Sequence, residues 1–242
     1  MSAIRSAHPH RTGDVTLRRT FASVVAVAAA ASLAACAAIP PEPAATSIPP
    51  EGEGPIVAFY GDSYTLGTGA TSDLARWSTI ISADRGWREL NPSVNGLGFI
   101  NNRTVFGEGD LPSIIIDASP EIVIVTMGLN DNFAYERRPD DRDRIREQIG
   151  IDLERLRDGL PGARIIVVEP FWYTDERPDS VETIIGWVRE GAEQIDAEFI
   201  AGASRWIEGR PELMAADGLH PNDDGYAVMA ERMDAELAEL GL

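Results

Sequence analysis

The stretch EIVIVTMGLND, residues 121–131, decides how this chain is read. Its first seven residues are dominated by β-branched side chains and are followed by Gly128. A short, nearly continuous apolar run with that ending suits a strand buried on both faces. Working outward, IVAFY at 56–60, closed by Gly61, and RIIVV at 164–168 read the same way. Residues 93–95, ahead of the glycines at 96 and 98, read as a weaker second strand, and residues 198–200 as a short fifth. Helical periodicity fills the intervals. In residues 142–160, Ile145, Ile149, Leu153, Leu156 and Leu160 fall on one face, and Pro161-Gly162 stops the run. Residues 74–81, 181–195 and 224–240 also read as helices, the last with Tyr226, Met229, Ala230, Met233 and Leu237 on one side. Buried strands alternating with amphipathic helices imply an α/β domain with a five-stranded parallel sheet covered on both faces. Ligands of such sheets bind beyond the carboxyl ends of the strands, so the residues just after each strand carry the functional interest.

The 242 residues carry a formal charge of -18, which disfavours nucleic acid as a partner because phosphates are repelled. The lone cysteine, Cys36, excludes an internal disulfide framework and a thiolate metal cluster. All 21 basic residues are arginine, so lysine Schiff-base chemistry is closed to this chain. Histidine occurs at 8, 10 and 220 only, which leaves no multi-histidine metal site in the folded part. No metal or organic cofactor is expected.

The N-terminus reads as an address. Arg5, Arg11, Arg18 and Arg19 precede an apolar run from 21 to 39, the pattern of a secretory signal. The run contains Leu33-Ala34-Ala35-Cys36, which resembles the lipobox of bacterial lipoprotein signals. That resemblance implies a signal peptide over 1–35, cleavage before Cys36, lipidation of its sulfur, and an extracytoplasmic domain anchored to the cell membrane through the lipid. An uncleaved membrane-spanning anchor and plain secretion are the alternatives, and Arg18-Arg19 leaves Sec and twin-arginine export both open. Residues 36–55 follow as the lipidated cysteine and a tether with six prolines, and residues 56–242 form the single folded domain.

Four short blocks stand after strands or near the end. Gly61-Asp62-Ser63-Tyr64 can expose the Ser63 hydroxyl on a strand-to-helix turn, where negative charge is favoured. Asn95-Gly96-Leu97-Gly98 lets backbone approach a ligand. Gly128-Leu129-Asn130-Asp131 can point the Asn130 amide into the cleft, or serve as a helix cap. In Asp217-Gly218-Leu219-His220-Pro221, the aspartate can hold the imidazole through Nδ1 and leave Nε2 as a base. Asn222 or Asp223 would cap the helix that follows.

In that order the blocks resemble those of the SGNH hydrolase family, the GDSL-like lipases and acylhydrolases, across residues 56–240. The first block departs from Gly-Asp-Ser-Leu only at Tyr64, and the Gly-x-Ser-x-Gly elbow of the α/β-hydrolases is absent. The resemblance implies a three-layer α/β/α sandwich of flavodoxin-like topology. It implies Ser63 as nucleophile, His220 as base and Asp217 as its orienting carboxylate. Ser63, Gly96 and Asn130 become the oxyanion donors, with Gly98 as the alternative to Gly96. The expected reaction is cleavage of a carboxylic ester on a small molecule, glycan or lipid, with short-chain and O-acetyl esters favoured; an acyl-enzyme can also serve a transferase. Phe171, Trp172 and Tyr173 could wall a substrate pocket or pack in the core. A non-catalytic envelope protein binding glycan or lipid in the same cleft is the competing class.

Overall fold

Successive residues of a strand point to opposite faces, and here both faces are apolar. In Ile56–Tyr60 (β1), Val57 and Phe59 enter one core while Ala58 and Tyr60 enter the other. Ile122–Val125 (β3) and Arg164–Val168 (β4) divide in the same way. The computed structural model describes residues 52–106 and 110–242. With Arg88–Leu90 (β2) and Glu198–Ile200 (β5), the strands form one parallel sheet in the order β2-β1-β3-β4-β5. The expected signal segment 1–35, Cys36 and the tether as far as 51 lie outside the described residues. The last tether residues are joined to β2: Arg88 N–H donates to the Pro55 carbonyl at 2.9 Å and Arg88 Nε to that of Gly54 at 2.8 Å.

Two helical layers cover the sheet. One contains Trp77–Arg85 (α2) and Asp223–Glu239 (α7), which set Trp77, Ile81, Tyr226, Met229, Met233 and Leu237 against β1, β3 and β4. The other contains Leu111–Ala118 (α3), Arg142–Gly159 (α5) and Asp179–Gln194 (α6). Two short helices, Ser63–Leu66 (α1) and Asp131–Arg137 (α4), start directly beyond the carboxyl ends of β1 and β3. The sandwich and its strand order are those implied by the family resemblance.

The second strand is corrected from 93–95 to Arg88–Leu90. Among the described residues it pairs only with β1, and an edge strand need not be apolar throughout. Pro92 has no N–H to continue a ladder, so residues 93–95 run past the tip of β1 as a loop. Val94 is nonetheless buried, and its N–H reaches the Gly61 carbonyl at 3.4 Å. Helix α3 was not expected, and α4 was expected only under the alternative that Asn130 serves as a helix cap. Helix α3 is capped by Asp110, which accepts from Ser113 N–H at 2.8 Å, and its run of Ile114-Ile115-Ile116 shows no clear helical period.

A charged cluster buried beneath this loop fixes where it runs. Asp152 of α5 is 0% exposed. It is gripped by Arg103 through both carboxylate oxygens, with Arg103 Nη2 to Asp152 Oδ1 at 2.8 Å. Tyr60 Oη donates to Oδ2 at 2.6 Å and Gln148 Nε2 to Oδ1 at 2.9 Å. Arg103 also donates to the Phe99 carbonyl at 3.0 Å, tying the segment after Gly98 to the end of β1 and to α5. Removing one partner strands a buried charge, which costs about 3–5 kcal/mol. Arg103→Ala is expected to lower unfolding stability by roughly 3 kcal/mol or more in urea titration; a loss under about 1 kcal/mol would mean that the remaining donors suffice.

Candidate active site

Ser63 is the first residue of α1, whose N-cap is Asp62. Asp62 Oδ1 accepts from Tyr64 N–H at 3.0 Å. Thr65 and Leu66 N–H both donate to the Asp62 carbonyl. Ser63 N–H has no acceptor among the described residues, and it stands at the positive end of the helix.

His220 comes from the loop before α7. Met214 and Pro221 form an antiparallel bridge, and Ala215 N–H donates to the His220 carbonyl at 2.7 Å. Asp217 closes the turn: its Oδ1 accepts from the N–H of Leu219 at 2.9 Å and of His220 at 3.0 Å. Its other oxygen lies 2.7 Å from His220 Nδ1, and His220 Nε2 lies 3.0 Å from Ser63 Oγ. The expected serine, histidine and aspartate are thus brought together in hydrogen-bonding line. Asn222 caps α7, accepting from Gly225 N–H at 2.9 Å.

The glycine block follows β2 and reaches Ser63's turn through Val94 N–H, which donates to the Gly61 carbonyl at 3.4 Å. Gly98 N–H is consumed by the Asn101 carbonyl at 2.9 Å, whereas Gly96 N–H has no acceptor among the described residues. Of the two glycines, only Gly96 therefore has a donor to offer. Gly96 has φ +71°, a conformation glycine adopts without strain, and its carbonyl accepts from both Asn101 and Asn102 side chains at 2.9 Å. Gly98 is required by crowding, since a Cβ there would fall 2.6 Å from the Asp131 carboxylate. Asp131 receives Phe99, Ile100 and Asn101 N–H at 2.7, 2.9 and 3.2 Å.

Asn130 occupies the N-cap position of α4, but its side chain does not cap. Its Nδ2 donates to Asp62 Oδ2 at 3.1 Å and to the Leu97 carbonyl at 2.9 Å. A carbonyl can only accept, which fixes the amide nitrogen on that side. Both amide hydrogens are engaged, so any further acceptor must share one of them. Phe171 and Trp172 are buried, with Phe171 stacked on Tyr64 at 5.7 Å; Tyr173 alone of the three stays half-exposed. Among the described residues no three His, Cys, Asp or Glu side chains converge as metal ligands.

Three acids set the electrostatics. Burial pushes Asp62 up to about 7, aided by the nearby Asp131 charge and opposed by the Tyr64 N–H. Burial likewise raises Asp131 to about 6 against its three backbone donors. At Asp217, partial burial works upward, but the hydrogen bonds from His220 and Leu219 outweigh it and hold the carboxyl at about 2. Asp217 is therefore ionised wherever an imidazolium must be stabilised. Asp62 and Asp131 were legible only as neighbours of the named residues; no spacing rule marks an acid as buried.

Between the ordinary carboxylate range and about 7, folded Asp62 holds a proton that the unfolded chain has lost. Its contribution to stability is therefore lost as pH rises through that window. Wild type is expected to lose stability relative to Asp62→Asn, by on the order of a few kcal/mol, between about pH 4.5 and 7.5 in denaturant titrations. Parallel stability curves for the two proteins would contradict the raised value.

The GDSL-like Lipase/Acylhydrolase family matches residues 59–228. GDSL lipase Rv0518 of Mycobacterium tuberculosis is 30% identical over 190 residues, covering 73% of this chain and 79% of that protein. The psychrotrophic esterase EstA from Pseudoalteromonas sp. superposes with a TM-score of 0.59 at 14% identity, over 76% of this chain and 97% of its own. The acetyl xylan esterase AlAXEase gives 0.59 at 15% identity, over 74% and 98%. At such identities the solved structures attest the fold, while the family match spans all four sequence blocks. The chain is a carboxylic ester hydrolase and belongs to the GDSL-like lipase/acylhydrolase family.

Proposed function

We propose that this protein hydrolyses short-chain esters, O-acetyl groups foremost, through an acyl-enzyme on Ser63. One observation carries the reading: Ser63 Oγ, His220 Nε2, His220 Nδ1 and Asp217 Oδ2 follow one another at 3.0 and 2.7 Å. A serine hydroxyl is a weak nucleophile until a base takes its proton, and Nε2 is placed to do so. Oγ attacks the ester carbonyl while the proton moves to Nε2, and Asp217 stabilises the imidazolium. The tetrahedral oxyanion is met by Ser63 N–H and Gly96 N–H, which have no other acceptor among the described residues. Asn130 joins by sharing an amide hydrogen now given to the Leu97 carbonyl or to Asp62. Collapse expels the alcohol, which takes the proton from Nε2. Water then enters by the same route and releases the acid. A protein that only bound glycan or lipid would have no use for this proton path.

A short acyl group is supported by the burial of Ser63 and by the acetyl xylan esterase that shares the fold. The esterase EstA was solved inhibited by monoethylphosphonate, which makes phosphonates a natural probe. A fluorophosphonate is expected to label wild type at Ser63 and to leave Ser63→Ala untouched. Asn130→Ala is expected to lower kcat on p-nitrophenyl acetate by about 10²–10³-fold. Undiminished turnover by Ser63→Ala would eliminate the mechanism.

The same proposal places the enzyme at the cell envelope, held by lipid on Cys36 after removal of 1–35. Its support is the basic and apolar leader, Leu33-Ala34-Ala35-Cys36, and the proline-rich stretch behind it. In a bacterial host, wild type should sediment with membranes and incorporate labelled fatty acid, and Cys36→Ser should do neither. Unlabelled wild type in the soluble fraction would refute the anchor.

A further inference from the structure

Beside the histidine loop lies a cavity of about 370 Å³ that the chemistry above leaves unused. Ala215, Ala216 and Gly218, which flank Asp217, form one wall; Tyr173, Ile207, Arg210 and Met214 form much of the rest. Its volume falls in the range of ligand pockets, roughly 300–1,000 Å³. We infer that this cavity is the alcohol-side subsite of the enzyme and receives a sugar ring of an O-acylated glycan. The inference rests on the Ser63–His220 esterase reading.

The direction follows from proton transfer. The leaving oxygen must take its proton from His220 Nε2, so the alcohol part of the ester lies over the histidine side of Ser63. The acyl carbonyl oxygen points the other way, toward Gly96 and Asn130. The loop that carries Asp217 and His220 also supplies Ala215, Ala216 and Gly218 to the cavity, so the cavity adjoins the histidine side of the site. An oligosaccharide extends further on that side than a single small alcohol does.

The lining identifies the class of group. Tyr173 is held as a platform, its ring 4.5 Å from that of Trp172, whose indole N–H donates to the Glu176 carbonyl at 3.0 Å. Ile207 and Met214 add apolar surface. Asp175 and Arg210 bring charged ends: Asp175 Oδ1 accepts from Gly209 N–H at 2.6 Å and Arg210 Nε donates to Glu212 at 3.0 Å. Asp175 Oδ2 and the terminal Arg210 nitrogens have no hydrogen-bond partner among the described residues. A pyranose has an apolar C–H face for the tyrosine and hydroxyls for those ends, which a fatty chain lacks.

The test compares acetylated xylotriose, p-nitrophenyl acetate and p-nitrophenyl octanoate as substrates. Tyr173→Ala is expected to cut kcat/KM on acetylated xylotriose at least about fivefold more than on p-nitrophenyl acetate, and Tyr173→Phe to restore most of it. Arg210→Ala, at an exposed position, should shift the same ratio in the same direction. Equal losses on xylotriose and p-nitrophenyl acetate in both variants would overturn the subsite, as would no loss at all or a selective loss on the octanoate. A wild type that cleaves p-nitrophenyl acetate but not acetylated xylotriose also overturns it while leaving the esterase reading intact. A folded wild type inert toward all three esters defeats the esterase reading itself.

Discussion

The contact between Ser63 and His220 spans 157 positions of sequence, and two buried tyrosine hydroxyls hold its two sides together. Tyr64 Oη donates to the Leu219 carbonyl and Tyr226 Oη to the Thr68 carbonyl, each at 2.7 Å. Both rings are almost wholly buried, so each hydroxyl must find a partner inside the protein. Tyr64 follows the serine, and Tyr226 opens the helix after the histidine loop. The pair stitches α1 to that loop and the residues just after α1 to α7. Asp223 adds a third stitch, accepting from the N–H and hydroxyl of Thr71 at 2.8 and 2.6 Å. Serine and imidazole meet because their supports are bonded to each other.

On the other flank the device is a carboxylate rather than a phenol. Asp131 gathers three successive backbone N–H groups, and Asp62 holds the Asn130 amide. Burial raises the proton affinity of both acids, as expected where desolvation outweighs donor hydrogen bonds. The domain thus sustains two costly acids to keep the Gly96 turn and the Asn130 amide in register with the helix that bears Ser63. Such costly groups gather around a site more often than in the scaffold that carries it.

The sheet was legible because β1, β3 and β4 are buried on both sides, and double burial forces apolar residues at every position past the half-buried Arg164 that starts β4. The edge strand was misplaced for the converse reason. Arg88-Glu89-Leu90 has one neighbour and carries no such pattern, while Val94 is buried without belonging to a ladder. Helix α3 escaped notice because three consecutive isoleucines give no helical period. Within the site, Ser63 and Asn130 announced themselves by residue type and position after strands, and Asp217 and His220 by residue type and spacing before the last helix. The choice between Gly96 and Gly98 did not, since it turns on which N–H is already spoken for. Nor could sequence separate Phe171 and Trp172, which pack inward, from Tyr173, which does not.

The chain enters the sheet at the amino end of β1, where Gly54 and Pro55 are fastened to the edge strand. The serine, the imidazole and the neighbouring cavity all open at the far rim. Entry point and mouth are thus separated by the full height of the sheet. A bulky polymer presented to the serine therefore meets the end of the sheet opposite to the one at which residues 54 and 55 join it.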